Sequence, residues 1–380
     1  MTSATYTARM SKMTGLLVAG GVFGAVAASA LATSVAPAPA QALDACFSSA
    51  LTGTLKTGGA SCSSAGPLQW AIAIGANTSA NVAGGLFNLA LAVGDNSYAD
   101  TTPYLDGDVS YFNIATAAAG GYAQASDGIF QIATAFGSQP DENSGAFATY
   151  GSFGVARAFG HNAWAQTGAG GNLERVSAFN IARAVGDNST AFAQFGFGNS
   201  SRAFGLNSYA AAYDGNVNIA RALGNGARSN AGGSPSAPAS FNIARALGPS
   251  TDAYAGTGDF NIASALGTAV QAQAGGNGIG RGSLNIARAV GSNSYAGAGA
   301  FDATESVLNI ASVIGDASEA YAGIGNLNTA RVFGNTSVAQ AGPGNGRRAI
   351  VVGSNQTKSD PPQAASARRA AASVRSASHR

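Results

Sequence analysis

The chain has 380 residues, 53 of them glycine, with only 10% charged residues and a formal net charge of +2. Its two histidines, His161 and His379, and two cysteines, Cys46 and Cys62, exclude a His-based metal cage, a Ser/His/Asp triad and a disulfide-dense scaffold. A hydrophobic fraction of 46% excludes charge-driven disorder of the whole chain.

Residues 1–42 carry the pattern of a secretory signal. Arg9 and Lys12 precede an apolar run from Gly15 to about Leu31, and Ala40-Gln41-Ala42 fits a small-residue cleavage site. A transmembrane anchor is the rival reading, but the run is short and is followed by Pro37 and Pro39. No later stretch is apolar for long enough to span a bilayer, so the mature chain is expected to be secreted or held at the cell surface. Residues 43–67 then read as an N-terminal cap stapled by a Cys46–Cys62 disulfide, since an even cysteine pair in an exported chain favours a crosslink. Such a loop contributes on the order of 3 kcal/mol.

From 68 to 353 one motif returns, best displayed by Ser240-Phe241-Asn242-Ile243-Ala244-Arg245-Ala246-Leu247-Gly248. The reference position of each copy is Gly75, Gly94, Ala119, Gly137, Gly160, Gly186, Gly205, Gly224, Gly248, Gly267, Gly291, Gly315, Gly334 and Gly353. These are 14 copies with a basic spacing of 19 residues, the signature of a solenoid. A second short alternating run follows each reference glycine, so two strands per coil are expected. Glycine or Asn-Ser breaks leave no room for two helical turns, and the fold class predicted is all-β, a parallel β-solenoid of about 14 coils. At about 4.8 Å per coil this is roughly 65 Å long.

Six positions before the reference stand Asn88, Asn113, Asn180, Asn199, Asn218, Asn242, Asn261, Asn285, Asn309 and Asn328, while Gln69, Gln131, Gly154 and Arg347 fill the other copies. Stacked amides of this kind can hydrogen-bond from coil to coil, so an asparagine ladder is predicted. Strand alternation then places Asn242, Ala244 and Ala246 on one face and Phe241, Ile243, Arg245 and Leu247 on the other. Either the coil is thin, filled by alanine and the ladder with an apolar-plus-arginine stripe outside, or a bend breaks the alternation. The thin coil is preferred, and it requires the outer stripe to be covered by a partner subunit or by inserted loops. Polar, Gly/Pro-rich insertions fall at 100–110, 138–144, 168–175, 231–238 and 275–281.

Arg157, Arg183, Arg202, Arg221 and Arg245 occupy the same position in five consecutive copies, and Arg288 and Arg331 follow after Ser264 and Ser312. Like charges at the inter-coil spacing repel unless they meet anions or fan into solvent. The stripe is therefore either a candidate site for anionic polymers or a set of solvated arginines whose stems cover apolar surface. Tyr98, Trp164, Phe192, Tyr209, Tyr254, Tyr295 and Tyr321 recur in the second run, as stacked rungs or as a platform for sugar rings. Asp95, Asp187 and Asp316 sit in turns, where they serve turn geometry. No motif calls for a cofactor.

Residues 354–380 lose the repeat. From Arg347 onward there are seven basic residues against Asp360, a net of +6, whereas 43–346 hold 11 basic and 17 acidic residues, a net of −6. This reads as a disordered cationic tail, either solubilising or attracted to anionic polymers; export disfavours nucleic acid as its partner.

Trp70-Ala71-Ile72-Ala73-Ile74-Gly75-Ala76-Asn77-Thr78-Ser79-Ala80 resembles the head repeat of trimeric autotransporter adhesins, Ser-Val-Ala-Ile-Gly-x-x-Ser-x-Ala. The resemblance implies a left-handed β-roll, surface exposure and a homo-oligomer, specifically a trimer. The period here is longer, arginine often replaces valine, and no coiled-coil stalk or C-terminal barrel is apparent. Signal and composition also resemble the Ala/Gly-rich exported proteins of mycobacteria and related actinobacteria. The expectation is a non-enzymatic, structural or adhesin-like surface protein that binds cell-wall or host anionic polymers. A carbohydrate-active solenoid enzyme and a pure scaffold are the competing classes.

Overall fold

A computed structural model describes residues 44–66, 68–103, 110–137, 145–168, 177–234, 237–276, 282–299 and 306–360. The expected signal segment and tail residues 361–380 lie outside the described residues. The described chain is strand and turn throughout. One sheet has 16 strands, of which Gly53–Thr57 and Ala45–Ser49 run antiparallel at its start; the other fourteen, from Trp70–Ile74 to Arg348–Val352, are parallel and follow one another coil by coil. These fourteen strands are the fourteen copies of the motif. A second sheet, from Ser61–Ser64 to Thr357–Asp360, packs behind the first and is built from the second strand of each coil.

The core is made of small side chains. Along Asn242 to Leu247 the even positions Asn242, Ala244 and Ala246 are fully buried, while Arg245 is exposed and Ile243 and Leu247 are partly exposed. The preferred thin coil is the one observed. Alanine suits it because two sheets close enough to share a single layer of methyl groups leave no volume for a larger side chain. Each buried methyl contributes only about 0.8 kcal/mol, so stability leans on the interstrand ladders and on what satisfies the turns.

Each coil has two narrow edges with a common backbone plan. At one edge, Gly186-Asp187-Asn188-Ser189 places glycine at φ +115°, Asn188 at φ +54° and a buried Ser189; at the other, Gly196-Phe197-Gly198-Asn199 repeats the sequence of conformations with φ +127° and +70° and a buried Asn199. The glycine is obligatory at Gly205, where a Cβ would lie 2.6 Å from the Gly224 carbonyl oxygen of the next coil, in a conformation that L side chains avoid. Ala119 interrupts the series, and its coil takes the left-handed conformation at Ala119 and Gly120.

The asparagines form the expected ladder, linked mainly by side chain to main chain, with an amide-to-amide bond from Asn285 Nδ2 to Asn261 Oδ1 at 3.2 Å. Asn242 N–H donates to Asn218 Oδ1 (3.0 Å), and Asn261 N–H donates to Asn242 Oδ1 (2.8 Å). The same link joins Asn88 to Asn113, Asn113 to Gln131, and every rung from Asn180 to Asn328 and Arg347. The Nδ2 groups donate to carbonyls of the neighbouring turn, as Asn199 does to Gly215 at 2.9 Å. Gly154 breaks the run. Gln131, one methylene longer, reaches across to accept from Gly154 N–H at 3.0 Å, and a Cβ at 154 would collide with its Oε1. A second line of buried side chains, mostly hydroxyls, runs along the opposite edge. There Ser189, Ser208 and Thr251 donate to Gly186, Gly205 and Gly248 carbonyls, and in the C-terminal coils Ser294, Ser318 and Ser337 donate to the Gly315, Gly334 and Gly353 carbonyls of the next coil.

At the N-terminal end, Ala45–Ser49 and Gly53–Thr57 form an antiparallel pair. Cys46 in the antiparallel strand and Cys62 in the first strand of the second sheet are disulfide-bonded, tying the two sheets together where parallel pairing starts. At the other end, Thr357–Asp360 pairs with Val338–Ala341, so strand pairing continues past the boundary expected at Gly353 and takes in the first residues assigned to the tail. The chain leaves for the expected insertions from both edges: 138–144 follows Gly137, and the others follow strands of the second sheet. Their tips lie largely outside the described residues.

Candidate functional site

The arginines stand in one column because the strands pair without slippage. Arg157 is the direct partner of Arg183, Arg183 of Arg202, Arg202 of Arg221 and Arg221 of Arg245. The column continues through Ser264, Arg288, Ser312 and Arg331. All seven arginines therefore share one line on the outer face of the first sheet, the first five spaced one interstrand distance, about 4.8 Å, apart at the backbone and Arg288 and Arg331 each following after two such spacings.

No described carboxylate lies within 4.0 Å of any of the seven; the ion pair found among the described residues is Arg347–Asp360 at 3.7 Å. Arg183 has its guanidinium carbon 5.6 Å from the centre of the Phe204 ring, and Arg221 Nε is buried without a hydrogen-bond partner. The Arg183 guanidinium thus lies over an apolar neighbour, while the charges of the column meet no carboxylate among the described residues. On the N-terminal side the column changes character to Ile72, Leu91, Thr116 and Thr134, so the cationic stretch begins at Arg157.

Apolar columns flank the arginines. One contains Val155, Ile181, Ile219, Ile243, Ile262 and Ile286, broken by Ser200 after Ile181; the other contains Phe159, Val185, Phe204, Leu223, Leu247, Leu266 and Val290. Beyond the first of these, on the narrow edge, lies a third line that strand alternation alone does not reveal. Phe87, Phe112, Phe130, Phe153 and Phe179 adopt φ between +56° and +59°, point outward, and stack at centroid distances of 4.5 to 5.0 Å. Phe241, placed on the strand face by the sequence reading, belongs to this edge as well and stacks on Phe260 at 4.8 Å. The cause of the misplacement is the left-handed residue, which turns the chain before the strand begins.

Most second-strand aromatics are rungs, whereas Tyr254 stands between Asn230 and Gln273. Tyr98 and Tyr122 stack at 4.7 Å, Tyr122 and Phe147 at 5.2 Å, Phe147 and Trp164 at 4.7 Å, and Trp164, Phe192 and Tyr209 continue with tilted rings; Tyr295 meets Tyr321 at 5.0 Å. Ring faces used in stacking are closed to a sugar. Burial, together with the charge of Asp100, pushes the Tyr98 hydroxyl up to about 12, and burial raises Tyr209, Tyr213, Tyr254 and Tyr295 as well.

The acidic side chains are occupied in turn geometry. Asp95 accepts from Ala76 N–H at 2.8 Å, Asp187 from His161 N–H at 3.0 Å, and Asp316 from Ser292 N–H at 2.7 Å, each across one coil boundary. Among the described residues no group of three or more His, Cys, Asp or Glu converges on a point, and no helix is long and apolar enough to cross a membrane. Comparison with known proteins finds no matching family model, no matching curated protein and no matching solved structure. The arginine column and its flanks are therefore read on their own geometry.

Proposed function

We propose that this is a non-enzymatic, exported or surface-displayed β-solenoid whose arginine column binds anionic polymers or surfaces. One observation carries the reading: five arginines in consecutive, directly paired strands have no carboxylate partner among the described residues. Packing like charges at this spacing costs free energy, and an anion array running along the solenoid axis would offset that cost. A repeated anionic chain meets several guanidinium groups at once, so individually weak contacts add through effective concentration. The N-terminal segment, the disulfide and the likeness of the repeat to adhesin heads support placement outside the cell.

The test is retention of the protein on immobilised heparin as a generic polyanion. Wild type is expected to elute with rising salt, and Arg183→Ser, Arg202→Ser and Arg221→Ser combined should remove most retention while leaving the far-UV spectrum unchanged, because Ser264 and Ser312 already occupy the column. Salt-independent passage of wild type through the column would refute the reading.

A further inference from the structure

Both edges of the coil need a residue in the left-handed conformation, yet they fill it differently. At the serine edge the position is most often asparagine, as at Asn77, Asn96, Asn162, Asn188, Asn207, Asn293 and Asn355, the side chain that tolerates this conformation best, and is otherwise small, as at Gly226, Ser250, Ala269, Ala317 and Thr336. At the asparagine edge it holds phenylalanine or leucine in most coils, among them Phe112, Phe130, Phe153, Leu284 and Leu308, at the same φ and 42 to 46% exposed. The backbone plan is common to the two edges, so it does not explain the choice. Bulky apolar groups stand here at a conformational cost, facing outward.

This edge is continuous with the arginine face. In every coil the eight positions from the left-handed residue to the reference residue run without an insertion, from Leu68–Gly75 to Gly346–Gly353; all added residues fall elsewhere in the coil. The result is one surface uninterrupted by insertions, roughly 20 Å by 65 Å, with an apolar edge and two apolar columns side by side, the cationic column lying between the two apolar columns from Arg157 to Arg331.

We infer that this surface docks on an anionic lipid layer, the arginines pairing with headgroup anions while the phenylalanine edge and isoleucine column enter the apolar boundary. This inference rests on the anion-binding reading and narrows it to an amphiphilic partner. A soluble polyanion satisfies the arginines but leaves the apolar columns in water. A second copy of the chain satisfies the apolar columns but sets guanidinium against guanidinium in the middle of the interface. An anionic lipid surface satisfies both, as amphipathic basic segments do when they lie in an interface.

The test uses the full chain, vesicles of phosphatidylcholine alone or of equal parts phosphatidylcholine and phosphatidylglycerol, and the heparin column. Three proteins are compared: wild type, the triple arginine-to-serine variant, and Phe112→Asn with Phe130→Asn and Phe153→Asn. Asparagine is the residue the opposite edge uses in this conformation, so the edge variant is expected to fold at least as well as wild type. Wild type should co-sediment with phosphatidylglycerol vesicles more strongly than with phosphatidylcholine vesicles. The arginine variant should lose vesicle and heparin binding together, and the edge variant should keep heparin retention but bind vesicles about tenfold more weakly or worse. Equal vesicle binding by wild type and the edge variant overturns the lipid assignment, as does heparin binding without vesicle binding; both leave the arginine reading standing. A wild-type oligomer that the edge variant dissolves, without vesicle binding, assigns the surface to a second copy instead. Loss of neither ligand in the arginine variant overturns both readings.

Discussion

Replacing Asn242 with alanine probes what holds one coil on the next. The side chain is fully buried; its Oδ1 accepts from Asn261 N–H at 2.8 Å and its Nδ2 donates to the Gly258 carbonyl at 2.9 Å. Truncation leaves the Asn261 N–H unpaired in a fully buried site, at about 1–3 kcal/mol. The Gly258 carbonyl still receives Asn261 Nδ2 at 3.0 Å, so it adds little. The space vacated by the amide contributes roughly 1 kcal/mol more, for a total near 3 kcal/mol. Asn216 supplies the control, since its Oδ1 accepts from Phe197 N–H at 2.9 Å on the same edge but exposed to solvent. Asn216→Ala should cost less than about 1 kcal/mol, because water replaces the lost partner. Denaturation followed by far-UV circular dichroism gives the two costs, and native-state hydrogen exchange at the Asn261 amide reports the local opening that a repeat array permits. Equal costs for the two variants, or an Asn261 amide as protected in Asn242→Ala as in wild type, would refute the claim that buried amides clamp the coils.

The break in the ladder predicts a compensating pair: Gly154→Asn alone destabilises by collision with Gln131, whereas Gly154→Asn with Gln131→Asn restores a continuous ladder and recovers at least part of the loss in a thermal melt. Reduction of Cys46–Cys62 should lower stability at the N-terminal end by about 3 kcal/mol, with the Cys46→Ala/Cys62→Ala variant already at that level and insensitive to reductant. The raised tyrosines make the fold base-sensitive. A hydroxyl that ionises near pH 10 unfolded but near 12 folded at Tyr98 favours the folded state below pH 10, and that contribution is lost between about pH 10 and 12. Phenolate absorbance should therefore rise together with unfolding, and a transition at pH 10 in the intact fold would contradict the burial of these rings.

Much of this architecture is legible in the residues because a solenoid repeats its instructions. Asn242, Ala244 and Ala246 recur at fixed offsets, and identical offsets in successive coils become direct partners once strands pair in register. The arginine column follows from the same arithmetic, as do the alanine core and the outward-facing isoleucines. What period-two reasoning could not place was the residue before each asparagine. A left-handed φ at Phe241 turns the chain there, and nothing about phenylalanine announces that conformation; only the contrast with Asn188 at the matching turn does. The serine ladder escaped for a different reason: Ser189 and Thr251 read as ordinary turn residues until their hydroxyls are seen donating to buried carbonyls. Partners and ligands write no such periodic signal, so the case for the arginine column as a site rests on its lack of counter-charges among the described residues.

The claim on which all this depends is that equivalent positions of successive copies lie directly beside one another. Nitroxide labels at Arg183→Cys, Arg202→Cys and Arg221→Cys test it in one spectrum, the native cysteines being held in their disulfide. Labels on three neighbouring strands at about 4.8 Å should show strong spin exchange; three separate, uncoupled signals would contradict the stacking and the arginine column with it.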